Sequence, residues 1–177
     1  RYDPQLVALS TYHAVNDGSL AVFLAVLPVM RVALGLSLVQ IGTILSAGIL
    51  GTVVMQLVFG YLADIRSSRT LLTGGLISIA VIDLAFVRGD GYVQVLILYV
   101  LLRAAAGVYH PVSFSTVFRT ASNRSAARGC QSAFGDASLA FGMFSMGFVA
   151  ESYGWQTPFL LWGFVGLSVA AVAFRKQ

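Results

Sequence analysis

Six long apolar runs, each cut off by a short cluster of glycine, serine and charged residues, organise this chain. The runs cover about 5–30, 38–63, 70–87, 93–119, 127–150 and 158–174. Each approaches the roughly 20 mainly apolar residues that an α-helix needs to cross a bilayer. The interruptions read RVALGLS, DIRSSR, RGDG, SNRSAAR and ESYGWQT, and residues of these types break helices. The pattern predicts six transmembrane helices with short connections. No linker is long enough to divide the chain, so residues 1–177 are expected to form a single bundle.

Composition excludes a soluble domain. Hydrophobic residues make up 58% of the chain, charged residues only 10%, and mean hydropathy is +0.84; soluble domains carry roughly 25% charged residues. The net charge of +4 would point to nucleic acid only if the basic residues clustered on a polar domain. No such domain exists, so the expected surroundings are the lipid bilayer. The lone Cys130 excludes an intramolecular disulfide and a multi-cysteine metal site, and no metal or other cofactor is expected. The first residue is Arg1, and nothing near it resembles a cleavable signal peptide.

Basic residues set the expected orientation. Arg66, Arg69, Arg119, Arg124, Arg128, Arg175 and Lys176 fall on one side with Arg1, against only Arg31 and Arg88 on the other. The basic excess marks the cytoplasmic face. Both termini are therefore expected inside, which requires an even number of helices. A multi-pass protein of the cell (inner) membrane is the expectation. Tyr92, Trp155 and Trp162 lie near predicted ends and are read as interfacial aromatics.

An internal repeat underlies the pattern. With the sequence shifted by 87 residues, Gly48 meets Gly135, Gly60 meets Gly147, Tyr61 meets Phe148, Ala63 meets Ala150 and Asp64 meets Glu151. Three helices separate the copies, so they are expected with opposite orientation, Asp64 at the cytoplasmic face and Glu151 outside. The expected fold class is an all-α membrane protein whose six helices form two inverted three-helix repeats, about 5–87 and 93–174. Inverted repeats recur in secondary transporters.

At GYLADIRSSR (60–69) the chain resembles the major facilitator superfamily, whose loop signature sets a glycine, three residues, an aspartate and then basic residues after the second helix. Gly60, Asp64 and Arg69 match it, while Ile65 and Ser67 stand where a basic residue and a second glycine are usual. HAVNDG, YHPVSF and RGCQSAFGD are similar to the fosmidomycin-resistance exporter group. FGMFSMG has the glycines of the antiporter signature without its proline. The resemblance implies two six-helix halves around a central cavity, of which this chain supplies one. The other is either a self-paired copy, making a homodimer, or a C-terminal half beyond this sequence. One bundle cannot easily alternate access by itself, because rocking needs a second bundle to move against.

Ionisable residues at membrane depth mark substrate or proton pathways by default. His13, Asn16 and Asp17 fall at i, i+3 and i+4, on one face of the first helix. Asp17 is expected near the bilayer centre, where desolvation opposes its charge and lets it bind and release a proton. The alternative is a structural polar cluster pinning this helix. In the fourth helix Arg103, Gly107 and His110 share a stripe. Arg103 requires an anionic partner, either Asp17 or an anionic substrate, for which its planar fork is suited. Pro111 is expected to kink the helix beside His110. His110 is read either as a titrating cavity group or as a histidine bonded to a carbonyl. Asp136 is either a second carboxylate of the pathway or a helix–helix or subunit contact. Asp83, near Arg88, is read as interfacial. In the loop, Asp64 ends a helix whose dipole disfavours it and calls for Arg66, Arg69 or a facing helix N-terminus. Such a pair, making and breaking, would be a gate, with Gly60 in its signature and Glu151 as its outer counterpart; the alternative is that the arginines serve orientation alone.

These features point to a secondary active transporter of a small molecule, driven by the proton gradient. The resistance-group likeness implies export of a small organic, perhaps anionic, compound by antiport. A non-transporting half-bundle that serves as a scaffold subunit is the competing reading. An enzyme is not expected: Ser115, His110 and an aspartate form no nucleophile elbow.

Overall fold

The computed structural model describes residues 4–175, with side chains described through Val172. Arg1 and Lys176, counted above on the basic side, fall outside the described residues. Among the described residues seven helices follow in order: α1 (Pro4–Ala33), α2 (Leu38–Ile65), α3 (Ser68–Phe86), α4 (Tyr92–Ala106), α5 (Tyr109–Thr120), α6 (Arg124–Tyr153) and α7 (Gln156–Arg175). No strand occurs among the described residues. Five stretches of the described residues are long and apolar enough to cross a bilayer: α1, α2, α3, α4 and α5 together as Tyr92–Thr120, and α6. α7 contributes a shorter apolar stretch, Gln156–Val172.

Local chemistry sets the helix ends. Ser37 and Gln40 form a capping box at the start of α2, with Gln40 N donating to Ser37 Oγ at 3.2 Å and Ser37 N to Gln40 Oε1 at 2.9 Å. Asn123 caps α6 by accepting from Ala126 N at 3.0 Å. The interruption between α4 and α5 traces to Pro111. Proline has no N–H for the carbonyl four residues back, here Gly107, and its ring crowds that carbonyl. Val108 N bonds instead to Ala105 O at 3.2 Å, a tighter i→i−3 contact. The helix therefore breaks one turn before Pro111, at Gly107 and Val108.

Packing pairs α1 with α6, α2 with α4, and α3 with α7 most extensively. Two apolar clusters result. One gathers Phe23, Met30, Phe86, Tyr99, Trp155 and Phe159, with Phe23 stacked on Tyr99 at 3.9 Å and Phe86 on Phe159 at 4.3 Å. The other gathers Leu9, Tyr12, Leu72, Leu76, Tyr109 and Val112 toward the opposite end. Between them on α1 lie Asn16 to Ser19, at the level of the α4–α5 break. This mid-bundle zone carries the polar side chains.

Two expectations are corrected by the packing. Trp155 and Trp162 are buried rather than interfacial, and Trp162 Nε1 donates to Val15 O at 3.0 Å. A tryptophan near a helix end serves a core as readily as a membrane interface when its N–H finds an acceptor.

Candidate functional site

α1 presents His13, Asn16 and Asp17 on a single face, as their helical spacing requires. His13 Nε2 approaches Asp17 Oδ2 to 3.1 Å, and Asn16 Nδ2 donates to Asp17 Oδ1 at 2.9 Å. The other imidazole nitrogen, Nδ1, lies 2.7 Å from the Gln131 carbonyl on α6. A carbonyl only accepts, so Nδ1 carries a hydrogen. Nε2 is buried, and although it is within ion-pair distance of Asp17 it is not aligned for a hydrogen bond. A small rotation places one proton on the Nε2–Oδ2 line, held as an imidazolium against a carboxylate or as a carboxylic acid against a neutral ring.

Two neighbouring helices fix this pair. The Tyr109 ring stacks on His13 with centroids 4.5 Å apart, and the His110 ring meets it edge-on at 5.3 Å. The Tyr109 hydroxyl donates to Leu9 O at 2.9 Å, tying α5 to α1. On α6, Gly135 faces the pair: a Cβ there would lie 2.7 Å from His13 Cε1 and 2.9 Å from Asp17 Oδ2. No side chain fits at 135 without displacing the site. One ligating atom each of His13, Asp17 and His110 lie within 4.8 Å of one another.

Arg103 belongs to a separate locus on α4. Its stem packs against Gly48 of α2, where a Cβ would fall 2.9 Å from Arg103 Cγ. Among the described residues no carboxylate lies within 4.0 Å of its guanidinium, and its buried Nε donates to nothing. Of the two expected partners, Asp17 is therefore engaged elsewhere, by His13 and Asn16. Asp136 is exposed on α6 beside Gly135.

A profile of the Major Facilitator Superfamily matches residues 9–177. The chain belongs to this superfamily. No curated protein matches it. It is thus a multi-pass membrane transporter, and superfamily members are in general not enzymes.

In this major facilitator chain the loop residues form a region distinct from the mid-bundle site. Asp64, Arg66 and Arg69 are exposed where α2 turns into α3, and a Cβ on Gly60 would meet nothing within 4 Å. Arg119, read from sequence only as an orienting charge, reaches this turn from α5. It donates to Ala63 O at 3.4 Å and to Ser68 Oγ at 2.9 Å, joining the end of α2 to the start of α3. Glu151 is exposed in the last turn of α6, at the opposite end of the bundle.

Asp83 corrects an expectation. It is 0% exposed, and both of its oxygens lie 2.9 Å from Ser19 Oγ. α3 turns it toward α1 rather than toward Arg88 and the interface. Tyr109, Gln131 and Gly135 were also not singled out individually for the site. The RGCQSAFGD and YHPVSF segments contain them, but their roles depend on which helices touch.

Proposed function

We propose that this chain is half of a secondary active transporter that exports a small anionic organic compound in exchange for protons. Asp17 with His13 is the proton site, with His110 beside that pair, and Arg103 is the anion site. The observation that carries this reading is the division of partners. Asp17 is engaged within α1 by Asn16 and His13, while among the described residues no carboxylate lies within 4.0 Å of Arg103. An unpaired guanidinium at that depth is costly, and a bidentate carboxylate or phosphate offsets that cost. Export, rather than uptake, rests on the likeness to the resistance exporters.

Several features support the inverted-repeat layout within this reading. Gly48 and Gly135, equivalent under the 87-residue shift, each make room for ionisable residues of a facing helix. The α1–α6 and α2–α4 pairings are likewise exchanged by that shift. The basic end, with Arg66, Arg69, Arg119, Arg124 and Arg128, faces the cytoplasm by the positive-inside rule, placing both termini inside. There Asp64, Arg66, Arg69 and Gly60 act as a gate against a second six-helix half, with Glu151 as its outer counterpart. Asp136, exposed on α6, lies on the proton route. The second half comes either from the rest of a longer chain or from a second copy. Native mass spectrometry of the intact gene product separates these by subunit mass and number.

Reconstitution into proteoliposomes tests the mechanism. Substrate-driven proton movement is expected from the native protein and not from Asp17→Asn. Arg103→Gln should lose substrate binding while its Asp17 still takes up a proton. Coupled transport by Asp17→Asn at the native rate and pH dependence would overturn the proposal.

A further inference from the structure

We infer that His13, Asp17 and His110 form a binding site for a divalent transition-metal ion of the zinc class. The ion would sit among His13 Nε2, Asp17 Oδ2 and a ring nitrogen of His110. This goes beyond proton coupling and holds whether or not protons drive transport. No spacing motif announces the set, because two ligands come from α1 and the third from α5.

The donor types select the metal. Two imidazoles and one carboxylate suit zinc, cobalt, nickel or copper. Magnesium and calcium prefer oxygen ligands throughout. Bond lengths of about 2.0–2.1 Å in a tetrahedral site separate ligand atoms by roughly 3.4 Å. The Nε2–Oδ2 distance is already 3.1 Å. One ligating atom from each of the three residues lies within 4.8 Å of the others, so His110 has to approach by up to roughly 1.4 Å to reach that separation, which a side-chain rotation supplies.

The surroundings resemble those of a built site. A metal-binding histidine typically donates its second N–H to a carbonyl or carboxylate, which fixes its tautomer and aim. His13 Nδ1 does so to the Gln131 carbonyl at 2.7 Å. That bond leaves Nε2 as the lone-pair nitrogen, and Nε2 is a buried polar atom with no hydrogen-bond partner on a side chain only 9% exposed. A buried polar atom without a partner calls for an explanation, and a coordinated cation provides one. The carboxylate is oriented in the same manner: Asn16 holds Oδ1 at 2.9 Å, leaving Oδ2 toward the histidines. Tyr109 locks the His13 ring plane by stacking, and Gly135 leaves room beside His13 Cε1 and Asp17 Oδ2 that a Cβ would take.

Three protein ligands leave a fourth position free, as in sites that exchange water or substrate. Asp17 is 23% exposed and His110 is half-buried, so that position opens away from the packed core. An ion could enter and leave there without unfolding the bundle.

The test uses the full-length protein, purified through a tag without histidine, stripped with chelator and held in lipid nanodiscs. Co²⁺ alone is titrated and its visible ligand-field absorption followed, then Zn²⁺ is added to displace it. The expected result is one Co²⁺ per copy of this chain, with absorption that saturates and is lost to Zn²⁺. Asp17→Asn and His110→Ala should each weaken binding by more than about 10-fold. Asn16→Ala keeps all three ligands and removes only the orienting bond, so it should weaken binding by about 10- to 100-fold. Thermal unfolding identifies the variants that remain folded. Absence of saturable Co²⁺ absorption in the native protein would overturn the inference. So would native affinity in any folded variant of the three.

Discussion

Gly135 of α6 and His13 of α1 meet so closely that a methyl group at 135 would fall 2.7 Å from the ring carbon Cε1. The same methyl would lie 2.9 Å from Asp17 Oδ2. Two effects oppose each other in Gly135→Ala. Helix propensity favours alanine by about 1 kcal/mol, while overpacking costs about 1–3 kcal/mol. The overpacking is expected to win, lowering thermal stability and displacing the His13–Asp17 pair. Gly60→Ala is the contrasting case, because its Cβ meets nothing within 4 Å. It should be neutral or slightly stabilising in the same unfolding experiment. Equal stability changes in the two variants would contradict the close approach at 135.

Arg103→Lys separates folding from recognition. Lysine keeps an aliphatic stem against Gly48 and removes the buried Nε that has no acceptor. A buried unsatisfied donor costs about 1–3 kcal/mol, so the variant should unfold no earlier than the native protein. It loses the planar fork that binds carboxylate or phosphate in two parallel bonds. Substrate affinity is expected to fall by about 10-fold or more, corresponding to roughly 1.4 kcal/mol. Native affinity in direct binding measurements would remove Arg103 from the substrate site.

Ser19→Ala isolates the buried carboxyl of Asp83. Ser19 Oγ is the hydrogen-bond partner found for both Asp83 oxygens among the described residues. Its removal should destabilise the protein by about 1–3 kcal/mol. The double variant Ser19→Ala with Asp83→Leu should recover part of that loss, because removing both partners leaves no polar group stranded. A double-mutant cycle followed by thermal unfolding checks the coupling. Simple additivity would mean the two side chains act independently.

Pro111→Ala restores the N–H that the Gly107 carbonyl lacks. Pro111 lies in the first turn of α5, where proline costs far less than the roughly 3 kcal/mol of a helix interior, so this variant should be slightly more stable than the native protein. If the α4–α5 break serves transport, turnover should fall while substrate affinity is kept. Higher stability with native turnover would assign the break to packing alone.

What could be read from sequence was what one helix decides by itself. His13, Asn16 and Asp17 share a face because a helix repeats every 3.6 residues, and no neighbour is needed to establish that. Arg103 was legible as a cation at membrane depth, but that no described carboxylate lies within 4.0 Å of it emerges only once the helices pack. The Gln131 carbonyl, the Tyr109 stack and the Gly135 clearance arise where α1, α5 and α6 meet, and no local pattern records those meetings. Trp162 shows the same limit from the other direction. Its place near a helix end suits a membrane interface, yet Val15 O on α1 accepts its N–H and draws it into the core. Asp83 was misplaced for a similar reason, since Ser19 is a neighbour only after α1 and α3 pack.

The pause between Ala106 and Tyr109 divides one membrane crossing into two rods, and Arg103 and His110 ride on different ones. Arg103 is carried by the rod clasped to α2, where Thr52 Oγ1 donates to Arg103 O at 3.0 Å. His110 is carried by the rod tied to α1 through Tyr109. A swing at this joint would lengthen or shorten the gap between guanidinium and imidazole while each rod kept its own attachment. The crossing would then act as a pair of calipers, and whatever spanned its two tips would report on the angle at Gly107.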